Sequence, residues 1–262
     1  MKNEPVLGYV IYEGPSEIDG KPIAVVINKI DDDSANDKTG ALIQSFIFRT
    51  DIEPHTALKT GDDESVCGDC KHRPFLVKQF KDGRAPCYVR VYQSVLSVAR
   101  AHARGRYIKI TPKQAAEILK DRLLRLGTYG NPSAAPVAVW WAVTRFVKGT
   151  TGYDHGWRDI TKPSERAKWQ QMVMASVDSE DEQREAAALG WRTFRVALNA
   201  HRLDTETSCP ASREAGYKAT CATCGGKAGP LCGGTTVKAK HIVIQDHASG
   251  HKRRVIPLAV AA

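Results

Sequence analysis

No apolar run in this 262-residue chain approaches the roughly 20 residues that span a bilayer as a helix. The N-terminus also lacks the basic start, apolar stretch and small-residue cleavage site of a secretory signal. Both absences point to a cytoplasmic protein without a membrane partner. No GxGxxG follows a strand-like run and there is no Walker loop, which argues against the nucleotide-cofactor folds. No internal repeat or low-complexity tract is visible. Acidic charge is short: 29 Asp and Glu stand against 38 Lys and Arg, a formal net charge of +9. That excess favours a polyanionic partner through long-range attraction, most simply nucleic acid. A hydrophobic content of 42% is enough to bury one full core, alone or with a small metal-bound appendage.

What the chain does have is seven cysteines in two clusters, neither spaced as a disulfide framework. The first is Cys67-x2-Cys70-x-His72 followed by Cys87, and the second is Cys209, Cys221-x2-Cys224 and Cys232. A CxxC turn places two thiolates on one side of the chain, about where tetrahedral zinc needs them. A reducing cytoplasm again favours metal over disulfide. The second set supplies four thiolates for one zinc. The first (Cys67, Cys70, His72 and Cys87) could hold a second zinc or a three-cysteine iron–sulfur cluster, or consist of buried cysteines.

Basic residues concentrate in three stretches. Arg100, Arg104, Arg106 and Lys109 fall in one, Lys238, Lys240 and His241 in a second, and Lys252, Arg253 and Arg254 in a third. The first and third are the candidate DNA contacts, since Lys and Arg beside phosphates supply affinity without reading sequence. The first follows an apolar run over 88–99 and is expected to extend its helix.

Strand-like runs cover 6–12, 22–30 and 42–49, with a polar loop at 31–38. Residues 51–86 show little periodicity. Thr111 as N-cap and Pro112 at the first helical position open a helix over 111–122. Beyond it strands at 123–128, 150–153, 173–177 and 193–198 alternate with helices at 136–147, 164–171 and from an N-cap at Ser179 to Leu189. This βαβαβαβ run implies a parallel sheet. With the early strands and 241–245 added, the count approaches eight, so the expected α/β fold is a TIM-like barrel, irregular or incomplete. The expected organisation is one catalytic domain over 1–262, with a Cys/His insertion at about 60–90 and a four-cysteine zinc-binding segment at about 205–235.

In such a fold, function sits where strands end. Strand 123–128 ends in Tyr129 and Asn131, strand 150–153 in Tyr153, Asp154, His155 and Trp157, and strand 173–177 in Ser176 and Asp178; the next carries Arg192 and Arg195. Any one of these could be a turn former, and Asp178-Ser179 makes a good helix cap by itself. Together they form a candidate rim, because neighbouring strand ends lie only about 5 Å apart.

The segments Arg125-Leu-Gly-Thr-Tyr-Gly-Asn131-Pro132, Thr151-Gly-Tyr-Asp-His-Gly-Trp157, Met174-Ala-Ser-Val-Asp178, Gly190-Trp-Arg-Thr-Phe-Arg195, Cys209-Pro-Ala-Ser212, Thr220-Cys-Ala-Thr-Cys224 and Leu231-Cys-Gly-Gly234 resemble a group of phage-encoded proteins. This group is similar to the phage DpdA-like enzymes that insert 7-deazaguanines into DNA, themselves similar to the tRNA-guanine transglycosylases, which are zinc-bearing TIM barrels. The resemblance covers nearly the whole chain, but its cysteine spacing departs from the transglycosylase zinc motif. Members also tend to carry Asp where this chain has Asn131, which moves the nucleophile role to Asp178.

The resemblance implies base exchange in DNA within the host cytoplasm. A carboxylate attacks C1′ of deoxyguanosine, guanine leaves, and a 7-deazaguanine such as preQ0 takes its place. Asp178 is then the nucleophile, with Asp154 or His155 carrying protons. Tyr129, Tyr153 and Trp157 would stack on the base, Asn131 would bond its edge, and Ser176, Arg192 and Arg195 would complete the pocket. The target base would have to be flipped out of the duplex or reached in locally opened DNA. Two other classes stay open. One is a zinc-stapled nucleic-acid-binding phage protein without chemistry. The other is a radical-type iron–sulfur enzyme, against which stands the absence of a CxxxCxxC run.

Overall fold

The computed structural model describes residues 6–28, 38–80, 86–197, 201–216, 218–226, 229–233, 241–246 and 259–260. Its strands are β1 (Gly8–Pro15), β2 (Pro22–Asn28), β3 (Ile43–Arg49), β4 (Ile108–Lys109), β5 (Leu123–Tyr129), β6 (Gly149–Asp154), β7 (Met174–Val177), β8 (Thr193–Ala197), β9 (His201–Arg202), β10 (Glu206–Ser208), β11 (His241–Gln245) and β12 (Ala259–Val260). The α-helices are α1 (Pro54–Thr60), α2 (Glu64–Cys67), α3 (Pro74–Phe80), α4 (Leu96–Ala103), α5 (Pro112–Ile118), α6 (Val137–Val143), α7 (Pro163–Met172) and α8 (Glu180–Ala188).

Ten strands form one sheet in the order β10-β11-β8-β7-β6-β5-β3-β2-β1-β4, and β9 pairs with β12 apart from it. The middle is the expected repeat: β5, β6, β7 and β8 lie side by side and parallel, with α6, α7 and α8 as the connections. The early strands differ. β1, β2 and β3 form an antiparallel meander; the short turn between Pro15 and Pro22 cannot hold the dozen or more residues of a parallel crossover between β1 and β2. β10 and β4 are the two ends of the sheet, so the architecture is a mixed α/β fold with a mostly parallel, open sheet rather than a closed ring of eight βα units.

Local signals set most boundaries. Thr111 Oγ1 accepts the Gln114 N–H while the Gln114 side chain accepts the Thr111 N–H, a complete capping box ahead of α5. Ser179 caps α8 through the Glu182 N–H, with Glu180, Asp181 and Glu182 in its positive first turn. The basic stretch at 100–109 is not one helical face. α4 stops at Ala103, Gly105 takes φ 69°, and Ile108–Lys109 turns into β4 beside β1.

The sheet has two differently covered faces. Leu124 and Leu126 of β5 with Ala175 and Val177 of β7 belong to the main core, together with Trp140 of α6, Trp169 of α7 and Ala186 of α8. The opposite face of the β7–β8–β11 side presents Met174, Phe194, Ile242 and Ile244, which cluster with Cys209, Ala211 and Cys232. The second cysteine segment is therefore a lid on a satellite core. Its 231–233 turn wedges in where β6 and β7 diverge: Gly152 N–H donates to Cys232 O at 3.4 Å. A Cβ on Gly233 would lie 1.7 Å from Thr150 O, so glycine alone fits there. Among the described residues no helix is long and apolar enough to cross a membrane.

Candidate functional site

A cavity of about 150 Å³ opens on the same face as the satellite core, at the C-terminal ends of the parallel strands. On β5 the side-chain alternation sends Arg125 into it, while Leu124 and Leu126 go to the main core; Tyr129, past the Gly127 bulge, belongs to that core and also lines the cavity. Between Arg125 and Tyr129, Gly127, at φ 67°, makes a bulge against β3. Ser45 repairs the broken ladder there, donating to Arg125 O and accepting the Gly127 N–H, both at 2.9 Å. Tyr153 and Phe194, stacked with centroids 3.9 Å apart, and Ser176 line another wall, with Asp246 at the end of β11.

Both cysteine clusters reach this one cavity. Cys67, Cys70 and Cys87 line it from one side, and Cys209 and Cys221 from the other. Burial pushes the thiols of Cys67, Cys70 and Cys232 well up and that of Cys209 up to about 12, with neighbouring thiolates of the same cluster adding to each rise. Opposing this, the backbone N–H groups of His72, Val89, Ala211 and Leu231 hydrogen-bond the sulfurs of Cys70, Cys87, Cys209 and Cys224. Leu231 N lies 3.2 Å from Cys224 Sγ. Buried, mutually close thiols served by amide donors fit a soft cation in donor chemistry, since a metal reverses both the burial and the repulsion. Among the described residues, however, no three His, Cys, Asp or Glu side chains converge as a metal-holding group.

His72 departs from its expected place beside the first thiols. Its Nε2 lies 2.9 Å from Asp178 Oδ1 and its Nδ1 4.0 Å from Asp246 Oδ1, so both ring nitrogens face carboxylates. All three side chains are nearly buried. The contact joins residues 106 positions apart. Asp178 is also held from behind, its N–H donating to Glu182 Oε2 at 2.7 Å. Asp178 does not itself line the cavity; it meets it through His72, which does, as does Ser176 two residues earlier.

Asn131 and His155 complete the rim. Asn131 Nδ2 donates to Cys67 O at 2.8 Å, and its Oδ1 lies 3.1 Å from His155 Nδ1. Asn131 thus ties the first CxxC turn to the loop after β6. Burial lowers the His155 pKa to about 4, Asp178 pulling the other way, so the ring is neutral near pH 7.

Several expected site residues do not line the cavity. Asp154 is fully buried and accepts from Ser133 N–H, Ser133 Oγ and Gly156 N–H at 2.7 to 2.8 Å, which makes it the organiser of two loops. Burial raises its pKa to about 6 against those hydrogen bonds. Trp157 packs in the main core, its indole N–H on Ser176 O and Arg158 over its ring. Arg195 forms a buried bidentate pair with Glu206, which joins β8 to the first residue of β10. Arg192 donates to Leu231 O at 2.6 Å and holds the second cysteine segment. Of the expected DNA contacts, Arg100 is paired with Glu53 and Lys109 with Glu13, while Arg104 and Arg106 are exposed. Lys252, Arg253 and Arg254 lie outside the described residues.

Four contributors escaped the reading of the sequence: Arg125, Tyr88, Asp246, and His72 as a partner of carboxylates. Asp246 had a signal, since it follows the strand-like run 241–245 as Asp178 follows its own strand. Arg125 had a weaker one, a charged residue inside an apolar strand. No family model, no curated protein and no solved structure matches this chain.

Proposed function

We propose that the chain is a DNA-modifying base-exchange enzyme, a transglycosylase that replaces guanine in phage DNA with a 7-deazaguanine such as preQ0, built on an incomplete TIM-like barrel. The observation that carries this reading is the row Asp178–His72–Asp246, whose His72 and Asp246 line a cavity walled by Tyr129, Tyr153 and Phe194. A buried carboxylate backed by an imidazole is the pairing that a covalent exchange at a sugar carbon needs, and an aromatic wall suits a planar base. The motif resemblance supplies the reaction.

In this mechanism an Asp178 oxygen bonds C1′ as the glycosidic C–N bond breaks, and the bond pair leaves on guanine. His72 gives the departing base a proton. The incoming 7-deazaguanine loses its ring N–H proton to the same imidazole and attacks C1′, releasing Asp178. Asp154 does not line the cavity and His72 does, so that role passes to His72. Neutral His155, fixed by Asn131, orients the rim. Cys209, Cys221, Cys224 and Cys232 would hold a zinc ion that, when bound, supplies structural stability rather than chemistry. Cys67, Cys70 and Cys87 would hold a second.

The test is incorporation of labelled preQ0 into DNA by the wild-type protein and by Asp178→Asn. Incorporation that vanishes in a folded Asp178→Asn protein supports the reading. Equal incorporation by the two removes Asp178 from the mechanism. A wild-type protein that binds DNA but incorporates nothing is a zinc-stapled nucleic-acid-binding protein instead.

A further inference from the structure

Among the described residues, Arg125 is a buried guanidinium with no carboxylate bonded to it. Its residue is 9% exposed and its guanidinium lines the cavity. Of five N–H donors it uses one, from Nη2 to Tyr88 Oη at 2.7 Å. Among the described residues no carboxylate pairs with it, and the groups nearest its charge are Tyr88, Tyr153 and Cys221. The other buried arginines among the described residues are spent within the protein: Arg73 on Asp63, Arg195 on Glu206. A buried cation without a counter-charge costs several kcal/mol, so a fold that keeps one has a use for it.

A second observation points the same way. The Tyr129 hydroxyl, also on β5, is buried without a hydrogen-bond partner. A guanidinium with donors to spare and a partnerless hydroxyl thus line one cavity from one strand, with the Gly127 bulge between them. The floor offers hydrogen-bond donors and positive charge, and the aromatic pair Tyr153 and Phe194 closes one side.

We propose that Arg125 anchors an oxyanion of the cavity's ligand, a phosphate or a carboxylate, with Tyr129 donating to a second acceptor on the same molecule. The guanidinium fork is shaped for two parallel hydrogen bonds to such a group. This names part of the substrate for the proposed site. It rests on that cavity being the ligand site, not on base exchange.

The experiment is calorimetric binding to the full-length protein with paired probes. dGMP against deoxyguanosine tests a phosphate, and 7-carboxy-7-deazaguanine against preQ0 tests a carboxylate. In one pair the anionic member binds the wild type about 10- to 100-fold more tightly. Arg125→Met abolishes that difference and leaves the neutral member's affinity unchanged, while Arg125→Lys retains part of it. The wild-type comparison needs no variant, so a misfolded Arg125→Met protein does not block the test. Equal wild-type affinity within both pairs, or no binding of either anion, overturns the proposal. So does an Arg125→Met protein that keeps the anion preference but loses bound metal, since Arg125 would then be the counter-ion of a cysteine cluster. Anion binding through Arg125 without base incorporation leaves this proposal standing and removes the exchange reaction alone.

Discussion

The two cysteine clusters share a sequence signature and a cavity, yet they are built into the protein in different ways. Cys67 and Cys70 sit on a turn whose other groups are wired to the rim. Cys67 O accepts from Asn131, and His72 bridges Asp178 and Asp246. Around Cys67 the main core is already in place, with Val66 buried in it. Cys209 and Cys232 have no such surroundings. They are themselves two of the seven buried members of the satellite core, and the segment that carries them is the layer covering β7, β8 and β11. One CxxC is attached to a machine and the other is part of a wall. A motif fixes which atoms a turn can present. The amount of apolar surface nearby fixes how much stability rests on them.

The sharpest way to break this contrast is Cys224→Ser. Structural zinc contributes about 10–16 kcal/mol in small zinc peptides, as much as a whole domain's stability, and the satellite core has little else. The expected outcome is metal loss and aggregation, seen by metal analysis and gel filtration. A soluble, fully active variant would show that the second cluster is no staple. Next in size is Asp178→Asn, which leaves the Ser179 cap of α8 in place and can still accept from His72. Base incorporation should fall about 1000-fold or more while circular dichroism and DNA binding stay unchanged.

Cys67→Ser sharpens the comparison from the other side. With its surroundings supplied by the main core, it should cost about 1–3 kcal/mol in denaturant unfolding, far less than Cys224→Ser. Equal damage from the two would erase that distinction.

Smaller still is the pH effect at the rim. The His155 pKa is lowered to about 4 in the folded state and returns to about 6.5 on unfolding. Between those values the unfolded chain binds more protons, so stability falls as pH drops from 6.5 toward 4 and is fully present above 6.5. The residue as a whole is half-buried, so the loss is about 1–3 kcal/mol. His155→Gln should flatten that part of the stability–pH curve, and an unchanged slope would assign the acid sensitivity elsewhere. The smallest effect concerns charge. Arg104 is exposed whereas Arg100 is paired, so Arg104→Ala should reduce the log–log salt slope of DNA binding by about 0.9. Arg100→Ala should change it less, and a wild type that binds DNA independently of salt would remove the phosphate contacts altogether.

Sequence alone determined the local grammar. Thr111, Pro112 and Gln114 announce α5, and Ser179 with three acidic residues announces α8. The alternation of strand and helix from 123 to 197 gives four adjacent parallel strands. The CxxC turns also form as their spacing implies, with Cys70 N–H on Cys67 O at 3.3 Å. Caps, turns and periodicity act over three or four residues, so they are written where they operate.

Only the tertiary structure decided the rest. It sent His72 to Asp178 rather than to the thiols, buried Trp157 and Arg195 away from the rim, and left the sheet open. It also brought two clusters more than a hundred residues apart onto one cavity with Arg125 at its floor. These outcomes depend on which strand lies beside which and on which face each residue lands. A bulge at Gly127 or a wedge at Gly233 redirects side chains by a register step that no local pattern encodes.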